Sequence, residues 1–297
     1  MANMYGYGEC KRVLIVPNVS KQGIGEFAKK VLSKFASLGV KCYFLEEDAR
    51  ALSMEDAFRF QDKQEQPIDC VVVLGGDGTV LHAVSVMEKI DLDVPVMGIN
   101  IGKIGFLTSA EMHDADTACE MLYREEFRLS ERSMLGCRLN SNNPTVEHKA
   151  LNEVVIGKIQ RERLIHLNTY INGEFFMRYS GDGLIFATST GSTAYSLSSG
   201  GPIVTPGIKC VLMTPICAHM LFSRPMVLNW SDVVTVRLEG EKERLAVSVD
   251  GHTEEEISPD SSVEIYGSER VVHLVELEGS TFYRTLREKF LTYPGAR

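Results

Sequence analysis

A single aspartate, Asp77, lies in the middle of a glycine-rich turn that directly follows an apolar run. The run Ile68–Val73 is rich in β-branched residues and continues into Leu74-Gly-Gly-Asp-Gly-Thr-Val-Leu-His82, which is typical of a buried strand ending in a tight turn. Apolar residues recur with helical spacing after the turn. The turn therefore meets a helix N-terminus, where free N–H groups and the helix dipole favour phosphate. A carboxylate beside phosphate is unfavourable by charge alone, so it indicates metal binding, a hydroxyl contact or proton transfer.

An Asn-Glu pair forms a second candidate. Asn152-Glu153 stands at the head of the apolar run Leu151–Ile156 and offers an amide and a carboxylate side by side, which could hold sugar hydroxyls or an adenine edge. Taken alone, such a pair is more often part of a surface turn. Gly-Asp-Gly is also common in ordinary turns, where the aspartate bonds its own backbone. Their occurrence together in one chain favours a functional interpretation.

The third candidate is the stretch Ser180–Pro202, which begins with another Gly-Asp-Gly, passes through a strand and reaches Thr190-Gly-Ser-Thr193. A short helix is expected to follow, capped by Ser192 or Thr193, because hydroxyl side chains are preferred caps. Hydroxyls and free N–H groups at a helix start suit phosphate or ribose. Tyr195 could stack on a base, or its ring could belong to the core.

The composition limits the class of protein. The chain has 297 residues, of which 44% are hydrophobic and 24% charged, as in a globular protein with one large domain or two small ones. A net charge of −9 argues against nucleic-acid and anionic-membrane partners. Seven scattered cysteines without a Cys-x-x-Cys pair argue against a disulfide framework or structural zinc, and they fit a reducing, cytoplasmic location. The sequence shows no pattern of a signal peptide, transit peptide or membrane span.

The elements that must position these residues alternate between strand and helix up to about residue 126. The hydrophobic patterns predict strands at Val13–Val16, Val40–Leu45, Val71–Leu74 and Val94–Ile99, and helices at Ile24–Leu38, around Ser53–Phe60 and at Ala115–Tyr123. Such alternation predicts a Rossmann-like parallel sheet covered by helices, with ligands at the carboxyl ends of the strands. The turn around Asp77 lies at such an end, as does a second glycine-rich turn, Gly98–Gly105.

The second half of the chain has short alternating segments separated by turn signals. Asn172-Gly173 between strand-like runs predicts a hairpin over Thr169–Phe176. We therefore expect an all-β, sandwich-like domain here. A further strand is expected from Val271, followed by a helix over Phe282–Phe290. The basic residues of that helix are expected on its polar side: Arg284, Arg287 and Lys289.

These patterns together predict an α/β plus all-β fold. The α/β domain is expected at residues 1–126, with the C-terminal tail, residues 270–297, returning to pack on it. The all-β domain is expected at residues 127–269.

The order of the motifs resembles that of the NAD kinase family, from about residue 68 to the C-terminus. The matching segments are Gly75–Thr79, Gly98–Thr108, Asn152-Glu153, Asp182–Ile185, Thr190–Ile203, Thr214–Pro225 and Val249–His252. The first of them looks like the family's signature turn, although lipid kinases and phosphofructokinases carry relatives of it. The segment Thr190–Ile203 is very specific to the family.

The resemblance implies a role for each matched residue. Asp77 would be the catalytic base, facing the 2′-hydroxyl of the adenosine ribose. Asn152 and Glu153 would hold the nucleotide, Asp182 would contact its nicotinamide end, and Thr193–Ser198 would form the adenosine pocket. The full set of implied binding residues is Gly75, Gly76, Gly78, Thr79, His82, Asn152, Glu153, Arg163, Asp182, Thr190, Thr193, Ala194, Tyr195, Ser196, Leu197, Ser198 and His252.

The implied reaction transfers the γ-phosphoryl group of ATP to NAD and makes NADP. Mg²⁺ or Mn²⁺ would arrive with ATP, because the sequence offers no dedicated metal cage. NADH as acceptor stays open, since Ser180 stands where the family often has Arg, and polyphosphate stays open as donor. Arg163 falls at a position that a neighbouring subunit contributes in family members, so a homodimer or homotetramer is implied.

Two rival functions stay open. A lipid or sugar kinase could share the Gly-Gly-Asp-Gly turn, but it would leave Asn152-Glu153 and Thr190–Ser198 unexplained. A non-catalytic NAD sensor could retain a kinase scaffold, yet intact Asp77 and Asp182 argue against it.

Overall fold

A computed structural model describes most of the chain and divides it into two compact units. The described residues are 10–54, 57–61, 67–102, 105–140, 146–159, 164–219, 223–238, 245–257, 261–278 and 281–290. The first unit consists of Met1–Glu131 together with Val272–Arg297, and the second of Arg132–Val271.

The helices and strands are numbered along the chain. The first eleven are β1 (Arg12–Pro17), α1 (Ile24–Ser37), β2 (Lys41–Phe44), α2 (Glu46–Ala51), β3 (Phe58–Arg59), β4 (Cys70–Leu74), α3 (Asp77–Lys89), β5 (Val96–Asn100), β6 (Ala110–Glu111), α4 (Ala115–Tyr123) and β7 (Arg128–Asn140). The next seven are β8 (Val146–Ala150), β9 (Glu153–Lys158), β10 (Ile165–Ile171), β11 (Glu174–Gly181), β12 (Gly183–Ala187), α5 (Tyr195–Ser198) and β13 (Cys210–Ile216). The last six are β14 (Met226–Asn229), β15 (Val234–Leu238), β16 (Leu245–Val249), β17 (Thr253–Ile257), β18 (Ser262–Glu276) and α6 (Phe282–Phe290).

The first unit contains a parallel sheet in the order β3-β2-β1-β4-β5. These five strands match the first five positions of the six-stranded Rossmann order, in which ligands lie beyond the carboxyl ends of the strands. Every residue of β4 is buried, because alternate side chains pack with α1 and α4 while α3 packs on β4 and β5. The end of β18 pairs in parallel with β5 through Leu274 and Val96, so the C-terminal tail returns to this unit as predicted.

One predicted helix is wrong. The polar spacing around Ser53–Phe60 predicts a helix there, but the helix is α2, which lies earlier, and Phe58–Arg59 forms a strand instead. Three acidic residues in the first turn of α2 match the positive end of its dipole, and the left-handed backbone of Ser53 (φ 53°) follows its end. Parallel pairing with β2 then outweighs the helix propensity of the residues that follow.

The second unit is a sandwich of two sheets. One sheet has the antiparallel order β14-β13-β12-β9-β16-β17, and the other contains β11-β10-β15 with the first part of β18 and the pair β7-β8. Inward-facing residues of both sheets form one core, for example Ile156 and Phe186 from the first and Leu167 and Val236 from the second. The sandwich-like prediction is thereby confirmed.

Two other predictions concern the ends of strands. The Asn172-Gly173 hairpin between β10 and β11 is confirmed, with φ values of 51° and 83° that fit the mirror-image turn favoured by Asn-Gly. The strand expected from Val271 begins earlier, at Ser262, because its first residues pair with β15. Within the described residues, no helix is both long and apolar enough to span a membrane.

Candidate active site

Asp77 is the first residue of α3 and follows Gly75 and Gly76 at the carboxyl end of β4. Its Oδ2 accepts a hydrogen bond of 3.0 Å from the N–H of Phe106, and its Oδ1 accepts one of 3.0 Å from the N–H of Leu107. Both donors belong to the chain that follows β5, which pairs with β4 and so brings the two turns together. The two main-chain bonds fix the orientation of the carboxylate, while 30% of the side chain remains exposed.

Gly105 allows this close approach of the two turns. A Cβ atom at this position would overlap the Asp77 carboxylate, so only glycine fits without displacing it. The N–H of Gly105 donates to Thr108 Oγ1 at 2.7 Å, which holds the turn in place. The predicted glycine-rich turn Gly98–Gly105 thus begins inside β5 and ends against Asp77, with residues 103–104 outside the described part of the chain.

The other residues predicted for the turn around Asp77 have different local roles. The N–H of Gly75 donates to Ile99 O at 3.0 Å, and a Cβ on Gly75 would overlap the buried side chain of Thr79. Gly76 is the N-cap residue of α3, while Gly78 and His82 are exposed on α3. The glycines therefore provide close packing between strand and helix on one side and an open face on the other.

In the second unit, one buried carboxylate holds the Asn-Glu turn. Asp250 Oδ2 accepts a hydrogen bond from the N–H of Leu151 at 2.7 Å. Its Oδ1 accepts bonds from the N–H groups of Asn152 at 2.8 Å and Glu153 at 2.9 Å. Burial raises the pKa of Asp250, and the three N–H donors together with His252 act in the opposite direction. The carboxylate thus satisfies three main-chain N–H donors that would otherwise lack acceptors.

The carboxylate of Glu153 accepts a hydrogen bond from the N–H of Tyr195, the first residue of α5. The prediction that Ser192 or Thr193 caps this helix is wrong, because both hydroxyls donate backwards to carbonyl groups three residues earlier. The 3₁₀ turn Gly191–Thr193 places those carbonyls within reach, and such local bonds compete with capping. Glu153, which lies in β9, therefore provides the acceptor at the N-terminus of α5.

Two buried polar atoms of this site lack hydrogen-bond partners among the described residues: Glu153 Oε2 and Thr190 Oγ1. Burial, which is the larger cause, and the Asp250 carboxylate raise the pKa of Glu153 to about 7, although the hydrogen bond from the Tyr195 N–H acts in the opposite direction. Native structures rarely leave buried polar atoms without a hydrogen bond, so each exception indicates an atom that a bound molecule could satisfy. These two atoms are therefore candidates for contacts with a ligand.

Thr188 and Gly191 connect the Asn-Glu turn to the hydroxyl-rich turn. Thr188 Oγ1 donates to Leu151 O at 2.6 Å and accepts from the N–H of Gly191 at 3.0 Å. The N–H of Thr188 donates to Asn152 O at 2.9 Å. A Cβ on Gly191 would overlap the main chain of Asn152, so glycine is required here as well.

The residues predicted for an adenosine pocket, Thr193–Ser198, begin at the end of the hydroxyl-rich turn Gly191–Thr193. Glu153 contacts this segment through the N–H of Tyr195. Ser196 is buried and bonded to the Thr214 hydroxyl at 2.9 Å, which makes it a support for the turn. Tyr195 is 44% exposed, so its ring does not belong to the core. Thr193, Ala194 and Leu197 are half-buried, and Ser198 is exposed.

Asp182 lies away from this cluster. It directly precedes β12, whereas Glu153 pairs with the last residue of β12, so the two residues are roughly 15 Å apart along the strand. Asp182 Oδ1 forms an ion pair with Lys158 Nζ. His252 is exposed in the turn between β16 and β17. Arg163 lies outside the described residues.

A dedicated metal cage is absent from the described part of the chain. No three His, Cys, Asp or Glu side chains come together there in an arrangement that could hold an ion. The two oxygens of Asp77 each already accept a main-chain bond.

Glu153→Gln is expected to stabilise the folded protein at pH 8 and to weaken ligand binding at its site. The pKa of about 7 in the folded state exceeds the ordinary 4.5, so the stability contributed by Glu153 is present below pH 4.5 and lost as the pH rises to 7. The difference corresponds to at most about 3 kcal/mol, or about 6 °C in Tm, at pH 8. Thermal unfolding at pH 5 and pH 8 measures the gain.

The matched control is Glu174→Gln, at an exposed glutamate on β11. It should leave Tm unchanged at both values of pH. A Glu153→Gln gain of equal size at pH 5 and pH 8 would contradict the role of the buried charge.

Comparison with known proteins supports one family for both units. The model of the ATP-NAD kinase N-terminal domain matches residues 19–127, and that of the ATP-NAD kinase C-terminal domain matches residues 151–277. The NAD kinase of Clostridium beijerinckii is 32% identical over 89% of this chain and 93% of its own length. That of Lachnoclostridium phytofermentans is 33% identical over 94% of this chain and 99% of its own length. The chain therefore belongs to the NAD kinase family.

Two solved structures share the fold. Yeast NADH kinase complexed with NADH has a TM-score of 0.86 and 24% identity, covering 97% of this chain and 89% of the other. The NAD kinase from Archaeoglobus fulgidus in complex with ATP has a TM-score of 0.73 and 24% identity, covering 94% and 97%. The predicted fold class is thus found in proteins of known structure.

Proposed function

We propose that the protein transfers the γ-phosphoryl group of ATP to the 2′-hydroxyl of the adenosine ribose of NAD, yielding NADP and ADP. The observation that carries this proposal is the Asp77 carboxylate, which is fixed by two main-chain donors at the start of α3 and remains partly exposed. The membership in the NAD kinase family supports it.

The step needs a base, a donor and a fixed geometry. The 2′-oxygen attacks the γ-phosphorus, the bond between that phosphorus and the β,γ-bridging oxygen breaks, and ADP leaves. Asp77 orients the hydroxyl and accepts its proton, an effect worth about 10²–10⁴-fold in rate. Because the transition state of phosphoryl transfer is loose, most of the remaining catalysis is positioning and charge neutralisation.

The second unit supplies the groups that suit the acceptor. Glu153 Oε2 and Thr190 Oγ1 are buried and have no hydrogen-bond partner among the described residues, so ribose hydroxyls or an adenine edge would satisfy them. We assign Asn152 to the same task and the exposed ring of Tyr195 to stacking on the base. Asp182 is assigned to the nicotinamide end, because its distance of roughly 15 Å from Glu153 suits the other half of a dinucleotide.

The remaining roles are assigned by family resemblance. The contacts with the phosphates fall to the turn Gly75–Thr79, with His82 nearby, and further binding contacts fall to His252. Arg163 would come from a neighbouring subunit, which requires a homodimer or homotetramer. Residues 127–269 would form the NAD-binding domain, and residues 1–126 with 270–297 the α/β domain.

A divalent cation belongs to this proposal as part of the donor. Mg²⁺ or Mn²⁺ bound to the phosphates of ATP neutralises their charge during transfer. The described residues fit an ion that is held mainly by the nucleotide, since they form no cage of their own.

The direct test is to incubate the purified protein with NAD and Mg-ATP and to measure NADP with an NADP-specific dehydrogenase. We expect steady NADP formation. Parallel reactions with NADH and with polyphosphate identify the preferred acceptor and donor. If no combination yields a phosphorylated product, the proposal fails. Calorimetry with NAD would then test for a sensor, and labelled ATP with lipid and sugar acceptors would test for another kinase.

A further inference from the structure

The C-terminal helix α6 brings a lysine to Asp77. Lys289 Nζ lies 3.6 Å from Asp77 Oδ2, and 34% of the lysine side chain and 30% of the aspartate side chain are exposed. Charge-assisted N–H···O bonds are normally 2.7–2.9 Å long. The ammonium therefore neutralises the carboxylate without being committed to a hydrogen bond with it, and both groups remain accessible to a ligand.

Phe106 fixes the positions of both charges. Its N–H donates to Asp77 Oδ2, and Lys289 Nζ lies over its ring, 4.8 Å from the centroid. The same ring packs against two aromatic residues of α6, Phe282 at 5.8 Å and Phe290 at 6.1 Å between centroids. Contacts of the ammonium with the ring and of α6 with Phe106 thus hold Lys289 at the site independently of its pairing with Asp77.

The charges at this turn call for a cation when phosphate arrives. The proposed reaction brings a phosphoryl group to a carboxylate, and two anions repel each other at close range. An ammonium group with three donors, on a partly exposed lysine beside that carboxylate, can contact both the carboxylate and the phosphoryl group. Lysine is a common partner of phosphate groups because its charge is compact and its donors rotate freely.

We propose that Lys289 binds the terminal phosphate of the ATP donor beside Asp77 and remains bound to it during transfer. The proposal rests on the function proposed above and adds a residue to it. As the 2′-oxygen bonds to the γ-phosphorus and the bond to ADP breaks, the hydroxyl proton goes to Asp77. Lys289 keeps its own protons and stabilises the charge on the γ-phosphoryl oxygens.

The alternative is that Lys289 only occupies Asp77 in the resting protein. In that arrangement α6 would act as a brake, and removal of the ammonium would release the base. The two roles predict opposite changes in turnover, so one substitution separates them.

Lys289→Met is therefore the central variant, since it keeps the length of the side chain and removes its charge. Lys289→Arg keeps the charge, and Arg284→Met is the matched control. Arg284 lies on the same helix and pairs through its Nε with Glu288 at 2.9 Å. Steady-state kinetics with NAD and Mg-ATP are combined with calorimetry using ADP and the non-hydrolysable analogue adenylyl imidodiphosphate, both with Mg²⁺.

We expect Lys289→Met to lower kcat by about 10²-fold, as loss of one transition-state donor typically does, with the KM for NAD little changed. Affinity for the analogue should fall about 10–100-fold, while that for ADP, which lacks the terminal phosphate, stays the same. Lys289→Arg should retain most of the analogue affinity, and Arg284→Met should behave as wild type.

Three results would overturn the proposal. Lys289→Met with wild-type or higher kcat would show a brake, equal losses for ADP and the analogue would exclude the terminal phosphate, and a wild-type protein that binds no analogue would remove the contact altogether. Failure of the proposed function has a different signature. In that case the wild type makes no NADP, while the comparison of ADP with the analogue still reports on Lys289.

Discussion

Asp77→Asn is expected to lower kcat by about 10²–10⁴-fold while the KM for NAD changes little. The amide has nearly the shape of the carboxylate but cannot accept the hydroxyl proton. The amide oxygen of the asparagine still accepts one main-chain hydrogen bond, so the turn that contains Phe106 and Leu107 should persist. Steady-state measurement of NADP formation over a range of NAD concentrations separates the two kinetic constants.

The matched control is Asp69→Asn. Asp69 Oδ2 also accepts two main-chain bonds, from the N–H groups of Lys11 and Arg12, both at 2.8 Å. Because Asp69 lies at the opposite end of β4, its substitution should cost stability without lowering kcat. Near-normal turnover of Asp77→Asn would show that the base is another group, and an equal loss of turnover in both variants would indicate damage to the fold.

The sequence predicted the fold well where local patterns and tertiary packing agree. The stripe that forms α1, the buried strand β4 and the Asn172-Gly173 hairpin each carry a strong local signal. The helix expected at Ser53–Phe60 failed because strand pairing with β2 decides that segment. Propensity cannot report a partner that is distant in sequence.

The candidate site was less predictable than the fold, for the same physical reason. The glycines around Asp77 marked a close approach, but nothing local indicated that Phe106 and Leu107 would hold its carboxylate. Periodicity placed Lys289 on the polar side of its helix, which is correct for an isolated helix. It could not reveal that this side meets Asp77.

Asp250 is a further residue of the site to which the sequence patterns assigned no role. Its motif was visible, yet its task depends on bonds to residues nearly a hundred positions earlier in the chain. The Asp250-Gly251 pair between two strand-like runs could have served as the signal, since aspartate side chains in turns commonly accept main-chain hydrogen bonds.

Asp250→Ala is expected to destabilise the protein by about 3 kcal/mol or more, because it leaves three main-chain N–H groups without an acceptor. Tm should fall by about 6 °C or more in thermal unfolding. The control is Asp232→Ala, at a half-buried aspartate that accepts one main-chain and one side-chain bond in the same unit. If the two variants lost equal stability, the three bonds to Asp250 would have no special importance.

Asp250→Asn separates positioning from mere support of the fold. The Asp250 carboxylate is one of the two causes that raise the pKa of Glu153, so its neutralisation should move that pKa from about 7 towards 4.5. The pH dependence of NAD affinity, measured by calorimetry between pH 5 and pH 8, should shift to lower pH accordingly. A purely structural role would weaken binding equally across this range. An unshifted profile would therefore show that Asp250 does not control the ionisation of Glu153. A shifted profile would show that the two carboxylates are coupled electrostatically and hold the nucleotide together.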